Sequence, residues 1–252
     1  MRYAFISDVH GNVTALNSVL RNIADHKVEQ VICLGDMVGY GPDSLQSLRR
    51  CRKACKHIVL GNHDAAVAGL ISDWNFSDRA KKGVERDKRQ LPDSDLAWIR
   101  SLRYEYKARQ FIAVHGTLDK PELFGYVDCV NEAIAAIGIL ASTGRRLLFV
   151  GHTHAPKWVV YKENDRIRFN EPADFDIDQE AYYVIDVGSV GYPRRTGSSS
   201  YVLYDSRRNR IEFKSVPFDF EAYSKSLERA DVEQPSWLAD YMNGNDLERR
   251  LS

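Results

Sequence analysis

Several things that would decide the class of this 252-residue chain are scarce or absent. Cysteine is limited to four residues, Cys33, Cys51, Cys55 and Cys129. They fall in strand-like and helix-like patterns, which reads as reduced, packed thiols and excludes a disulfide framework. Cys51 and Cys55 are four apart, but a zinc site needs two further ligands nearby. Charge of one sign is not in excess: Lys plus Arg and Asp plus Glu each total 35. No overall field therefore steers the chain to nucleic acid or an anionic membrane, and nucleic acid is not an expected partner. No apolar run approaches the roughly 20 residues of a membrane span. The first strand runs straight into Ser7 and Asp8, leaving no room for a secretory leader, so a cytoplasmic location is expected. Repeats and low-complexity tracts are also missing. What remains, 44% hydrophobic and 28% charged residues, is ordinary for one domain over 1–252 that buries a full core.

What the chain does contain is alternation. Through residues 1–155, strand-like and helix-like stretches follow one another as in stacked βα units. Tyr3–Ile6 reads as a buried strand, and Leu16, Val19, Leu20 and Ile23 mark one face of a helix from about Val13 to Ile23. A second strand ends at Gly35. After the loop 37–42, Asp43 offers a carboxylate suited to N-cap the next helix. Strands at His57–Leu60, Phe111–Val114 and Leu147–Val150 continue the series. Between them lie a charged helical stretch over 77–102, broken at Pro92-Asp93, and an apolar helix over Val130–Leu140. Short β-rich runs after residue 155 predict a second, mostly antiparallel sheet over 156–217. The polar helical tail over 218–252, which contains Trp237, is expected on the outside, capping a sheet or joining two subunits; the oligomeric state is open.

The histidines are placed unevenly. Five of the seven follow apolar runs in Gly-, Asp- and Asn-rich contexts: Asp8-Val9-His10, Gly61-Asn62-His63-Asp64, His115-Gly116 and Gly151-His152-Thr153-His154. Gly35-Asp36 adds a carboxylate at the end of its own strand. Residues i and i+2 of an extended segment project to one face, which would point Asp8 with His10 and His152 with His154. Open α/β sheets carry their sites beyond the carboxyl ends of strands, so five segments deliver polar groups to one rim. Asp, Asn and His without thiolate suit Mn, Fe, Zn, Co or Ni. Two such ions against two carboxylates leave a centre of about +2 that attracts a phosphate ester. His26 and His57 match no motif and read as ordinary surface or strand-end residues.

Taken in order, Asp8-x-His10, Gly35-Asp36, Gly61-Asn62-His63-Asp64, His115 and Gly151-His152-x-His154 resemble the motif series of the calcineurin-like metallophosphoesterases over residues 8–154. The stretches 35–42 and 188–194 are similar to the compact prokaryotic branch of that family, which includes small phosphodiesterases. The resemblance implies an α/β fold, a four-layer α-β-β-α sandwich of two mixed sheets flanked by helices. It implies one metal held by Asp8, His10, Asp36 and His154 and a second by Asp36, Asn62, His115 and His152, with Asp36 bridging through its two oxygens. Manganese leads the candidates, ahead of Fe, Zn, Ni and Co. A water between the ions, acidified towards neutrality, would attack phosphorus in line. His63 would protonate the departing oxygen, and Asp64 would orient its ring and raise its pKa.

Arg194, with Arg195, is a candidate to grip a substrate phosphate, and Tyr40 and Tyr126 to stack on a base or aryl group. A solvated turn charge and rim packing are their plainer readings. The implied activity is that of a phosphodiesterase or broad-specificity phosphatase on small or nucleotide esters, with no membrane partner. The alternatives are a protein serine/threonine phosphatase or nuclease of the same fold, or a non-catalytic metal-binding scaffold. The filled ligand set argues for the enzyme.

Overall fold

The computed structural model describes residues 1–163, 165–194 and 197–242. Apolar residues of both pleat faces build the first strand, β1 (Arg2–Ile6): Phe5 points one way and Ala4 and Ile6 the other, all fully buried. A short loop leads into α1 (Val13–Ala24), where the Asn12 side chain accepts the Ala15 amide as N-cap. α1 buries Ala15, Leu16, Val19 and Ile23, while Leu20 is only partly covered. There follow β2 (Gln30–Cys33), α2 (Ser44–Ala54), β3 (His57–Ile58), α3 (Asn62–Val67), α4 (Asp78–Gln90) and α5 (Asp93–Arg100). The next elements are β4 (Glu105–Lys107), β5 (Phe111–Val114), α6 (Val130–Ser142) and β6 (Leu147–Val150). The last described elements are β7 (Lys157–Lys162), β8 (Arg168–Asn170), β9 (Phe175–Asp176), β10 (Ala181–Asp186), β11 (Ser199–Asp205), β12 (Arg210–Val216), α7 (Phe220–Arg229) and α8 (Ser236–Met242).

These strands form two six-stranded sheets, β3-β2-β1-β11-β12-β9 and β4-β5-β6-β10-β7-β8. Both are mixed: β1, β2 and β3 run parallel, as do β5, β6 and β10, and the remaining pairs are antiparallel. The inner faces meet in an aromatic and aliphatic core, with Phe5 stacked on Phe149 at 3.7 Å between centroids. On the outer face of the first sheet, Ala4, Ile6 and Leu203 pack against Leu16, Val19 and Leu48 of the helices. On the other side, Ile112, Leu148 and Val184 pack against Ala133, Ile137 and Leu140 of α6. The fold is therefore the four-layer α-β-β-α sandwich.

The structure corrects four local expectations. The β-rich stretch over 156–217 does not make a sheet of its own: β9, β11 and β12 complete the first sheet and β7, β8 and β10 the second. Local patterning identifies strands but not their partners, and Arg2 pairs with Asp205 across the whole chain. Asp43 occupies the N-cap position of α2 but makes no capping bond, its side chain being drawn to Ser226 and Arg229 of α7. The C-terminal segment is not simply external, because Trp237 and Leu238 are buried beside Tyr192 and Tyr223. All four thiols are free, but Cys129 is exposed rather than packed. Among the described residues no helix is long and apolar enough to cross a membrane.

Candidate metal centre

The loops after β1, β2, β3, β5 and β6 meet at one end of the two sheets, and they do so on unusual backbone. Asp8, His10, Asp36, His152 and His154 all have positive φ, between 47° and 69°. This left-handed region is uncommon for side chains with a Cβ and persists where the surroundings impose it. Here a backbone lattice imposes it: the amides of Asp8, His10 and Gly11 donate to the carbonyls of Gly35, Asp36 and Met37 at 2.9–3.1 Å. The amides of Val190 and Gly191 close the other side on Ser7 and Asp8. The extended i, i+2 geometry expected from the sequence is thus not what places these side chains. Asp8 and His10 do converge, but His152 and His154 separate, His154 joining Asp8 and His10 while His152 joins Asp36 and His115.

Asp8 and Asp36 each have one carboxylate oxygen held and one left over. Asp8 Oδ2 accepts the His152 amide at 2.9 Å, and Asp36 Oδ1 accepts the His63 amide at 2.8 Å. Asp8 Oδ1 and Asp36 Oδ2 are buried with no hydrogen-bond partner. Around them stand imidazole nitrogens: His154 Nε2 and His10 Nε2 lie 3.3 and 3.5 Å from Asp8 Oδ1, and His115 Nε2 and His10 Nε2 lie 3.3 and 3.7 Å from Asp36 Oδ2. Asp36 therefore faces both halves of the cluster through a single oxygen. Its other oxygen is held by the backbone.

The outer nitrogens settle which tautomer each ring adopts. Nδ1 of His10, His115 and His154 lies 3.2, 2.7 and 2.9 Å from the carbonyls of Val38, Leu34 and Tyr192, so each Nδ1 carries a proton and each ring turns Nε2 inward, as a lone pair wherever the ring is neutral. His10 Nε2 and His154 Nε2 then oppose one another at 3.1 Å. His115 Nε2 is shared among Asn62 Oδ1 at 3.0 Å, His152 Nδ1 at 3.1 Å and Asp36 Oδ2, more acceptors than one N–H can serve. Buried anions and facing lone pairs are costly unless a cation lies among them. The donor set therefore fits divalent ions. The electrostatics agree: burial opposes charge, but the histidines hold the Asp8 and Asp36 carboxyls well below the usual range. Against the same burial, Asp36 raises His115 to about 9, while burial and the charge of His115 push His152 down to about 3.

His63 lies within reach of the same cluster, grouped with His10 and Asp36. Its Nδ1 is buried and unpartnered, packed against Gly39, where a Cβ would collide with the ring and where φ is 120°. Burial pushes its pKa down to about 3, and the charge of Asp36 only partly offsets this. Asp64 does not orient that ring. Its Oδ2 accepts the amides of Asp36 and Gly61 at 2.8 and 3.3 Å, and its Oδ1 those of Met37 and Val38 at 3.0 and 3.3 Å. The carboxylate at the third position of α3 turns back onto the helix N-terminus and the 36–38 turn, as such residues do. It positions Asp36 instead of His63.

A cavity of about 840 Å³ opens above the cluster, lined by Asp36, Asn62, His63, His152 and His154. Tyr40 reaches it, stacked on Tyr192 at 4.4 Å and against His63 at 4.7 Å, and Arg194 lines it from an exposed position with its guanidinium 5.8 Å from the Tyr192 ring. Tyr126 also lines it, its ring 4.2 Å from that of His152. Arg195 lies outside the described residues. Sequence reasoning missed Trp74, Phe76, Arg79, Leu123 and Trp237, all on the cavity wall. Only Trp237 had been noticed, and none carries a motif or periodic signal tying it to the site.

The model described as the calcineurin-like phosphoesterase superfamily domain matches residues 1–209. An uncharacterized protein of Methanocaldococcus jannaschii is 30% identical over 245 residues, 94% of this chain and 95% of that protein. A symmetrical bis(5'-nucleosyl)-tetraphosphatase of Erwinia tasmaniensis is 30% identical over 142 residues, 53% of this chain and about half (51%) of the relative's own length. Among solved structures, a metallophosphoesterase from Sphaerobacter thermophilus superposes with a TM-score of 0.77 at 27% identity, covering 94% of this chain and 97% of that one. A hypothetical protein of Pyrococcus horikoshii OT3, at 17% identity, shares the fold with a TM-score of 0.74 over 95% and 96% of the two chains.

Proposed function

The chain belongs to the calcineurin-like phosphoesterase superfamily, and from that premise we propose that it hydrolyses small phosphoesters, nucleotide esters foremost, with a pair of divalent ions, manganese first among them. One observation carries the reading. Two unpartnered carboxylate oxygens and the inward nitrogens of His10, His115, His152 and His154 converge beneath an open cavity. Asp8, His10, Asp36 and His154 would hold one ion, and Asp36, Asn62, His115 and His152 the other. When bound, such ions supply Lewis acidity to the phosphoryl oxygens and lower the pKa of a water for in-line attack.

The remaining work belongs to the protein. Asp64 fixes the turn that presents Asp36. Arg194 and Tyr40, on the cavity wall, meet the phosphate and its substituent. His63 protonates the departing oxygen. Burial keeps its ring neutral in the free protein, and an anionic phosphoryl group beside it favours the protonated form. The tetraphosphatase relatives support nucleotide esters as the substrate class. Free thiols support work in the cytoplasm.

The test is hydrolysis of bis-(p-nitrophenyl) phosphate and p-nitrophenyl phosphate by EDTA-stripped protein, before and after adding manganese, with metal content measured in parallel. Turnover restored at about two equivalents is expected, and the preferred ester assigns diesterase or monoesterase. Protein that binds no metal would leave the fold as a scaffold and end the proposal.

A further inference from the structure

The cavity wall is richer in aromatic and apolar surface than a phosphate requires. Seven aromatic side chains besides histidines line it, and six of them already pack against another ring: Tyr40 and Tyr192 on each other, Phe76 on His63, Phe124 on Tyr104, Tyr126 on His152 and Trp237 on Tyr192. Trp74 is the exception. Among the described residues its indole meets no other ring, and it is 78% exposed.

Exposed apolar surface also gathers at this mouth: of the eight exposed large hydrophobic residues among the described residues, three, Trp74, Leu123 and Tyr126, line the one cavity. Such patches mark binding surfaces more often than isolated exposed residues do. The placement of Trp74 is anchored. Phe76, two residues on, packs its ring 4.9 Å from that of His63, and Ser77 caps α4 through the Ala80 amide. Two residues of chain span at most roughly 7 Å, which keeps the indole near the reacting centre. Tyr126, the stacking candidate read from the sequence, has one face covered by His152. The indole of Trp74, largely exposed, has no ring against it among the described residues.

We propose that Trp74 is a stacking platform for the planar base of a nucleotide ester whose phosphate sits at the metal centre. The inference rests on the phosphoesterase reading and adds a specificity residue to it. Trp74 touches neither the phosphate nor the leaving oxygen in this arrangement, so it governs how tightly a base-bearing ligand binds.

The experiment is calorimetric titration of manganese-loaded wild-type, Trp74→Ala and Trp74→Phe protein with adenosine 5'-monophosphate and with ribose 5-phosphate, which differ only in the base. Alanine replacement of a stacking aromatic weakens base binding roughly tenfold. We expect the wild type to bind the nucleotide about tenfold more tightly than the sugar phosphate, Trp74→Ala to abolish that preference without changing sugar phosphate binding, and Trp74→Phe to retain part of it. Equal binding of the two ligands to the wild type, a preference that survives in Trp74→Ala, an equal loss on both ligands, or no binding of either overturns the inference. An equal loss would assign the exposed indole to general support of the cavity or to contact with a protein partner. Turnover of bis-(p-nitrophenyl) phosphate, measured on the same samples, reports separately on the phosphoesterase reading, since active wild type without a base preference would remove Trp74 alone.

Discussion

Asp36 divides its two oxygens between backbone and centre, and that division makes Asp36→Asn an informative change. The amide retains an acceptor for the His63 N–H but loses the charge that faces His10 and His115. Metal-dependent turnover and metal content are expected to fall more than roughly hundredfold, beyond the effect of losing an outer-shell partner, while circular dichroism stays native. His115→Ala should behave alike, and wild-type rates in either would remove the proposed centre. His63→Ala is expected to cost about 10²–10⁴ in rate on alkyl esters and far less on nitrophenyl esters, whose leaving group needs little protonation. Equal losses would take His63 out of the acid role.

Asp64 separates two readings by the same assay. A residue that oriented His63 would reproduce that leaving-group dependence. A residue that accepts four backbone amides around Asp36 should, as Asp64→Ala, slow all esters alike and lower unfolding stability by about 3 kcal/mol or more, measurable by urea titration. Adjacency in sequence suggested the first, and the helix N-terminus produces the second. Motif residues such as Asp8 and His10 were legible because their chemistry is local. Their left-handed backbone was not, because the carbonyls that impose it come from residues 35–37.

At the scale of elements, strand identities could be read from periodicity, whereas pairing could not. β10 shows why: its apolar run is plain in the sequence, but it lies between β6 and β7 and ends in Asp186, a buried carboxyl behind the 152–154 loop. Asp186 accepts the Thr153 hydroxyl at 2.6 Å and the Gly188 amide at 2.9 Å, tying the strand end to the loop that presents His152 and His154. Burial pushes its pKa from 3.8 up to about 8. Between those values the folded protein keeps a proton that the unfolded chain has released. The stability this contributes is complete below about pH 4 and lost as the pH rises through 8. In metal-free protein, the stability of wild type relative to Asp186→Asn should therefore fall between those limits, by up to about 1.4 kcal/mol per pH unit. A difference that is flat with pH across chemical denaturation series would show that Asp186 is ionised in the fold.

On the scale of the whole molecule, the centre is a seam. Asp8, His10, Asp36 and Asn62 follow β1, β2 and β3 of the first sheet, while His115, His152 and His154 follow β5 and β6 of the second. Neither sheet holds all of the proposed ligands, so ions bound there would join the two layers beyond what the Phe5 and Phe149 core supplies. Binding to the folded state alone stabilises it by about 2.7 kcal/mol at a free ligand concentration of 100 times Kd. For a chain of this size each kcal/mol moves Tm by roughly 2–4 °C. Manganese added to EDTA-stripped protein is thus expected to raise Tm by about 5–10 °C, progressively with concentration, in calorimetric scans. Asp36→Asn should lose most of that rise, because its inward oxygen faces ligands from both sheets. Wild-type protein that takes up two equivalents of metal with no change in Tm would mean that the unfolded chain binds the ions as tightly as the fold does, and a centre built by joining the two sheets would have to be abandoned.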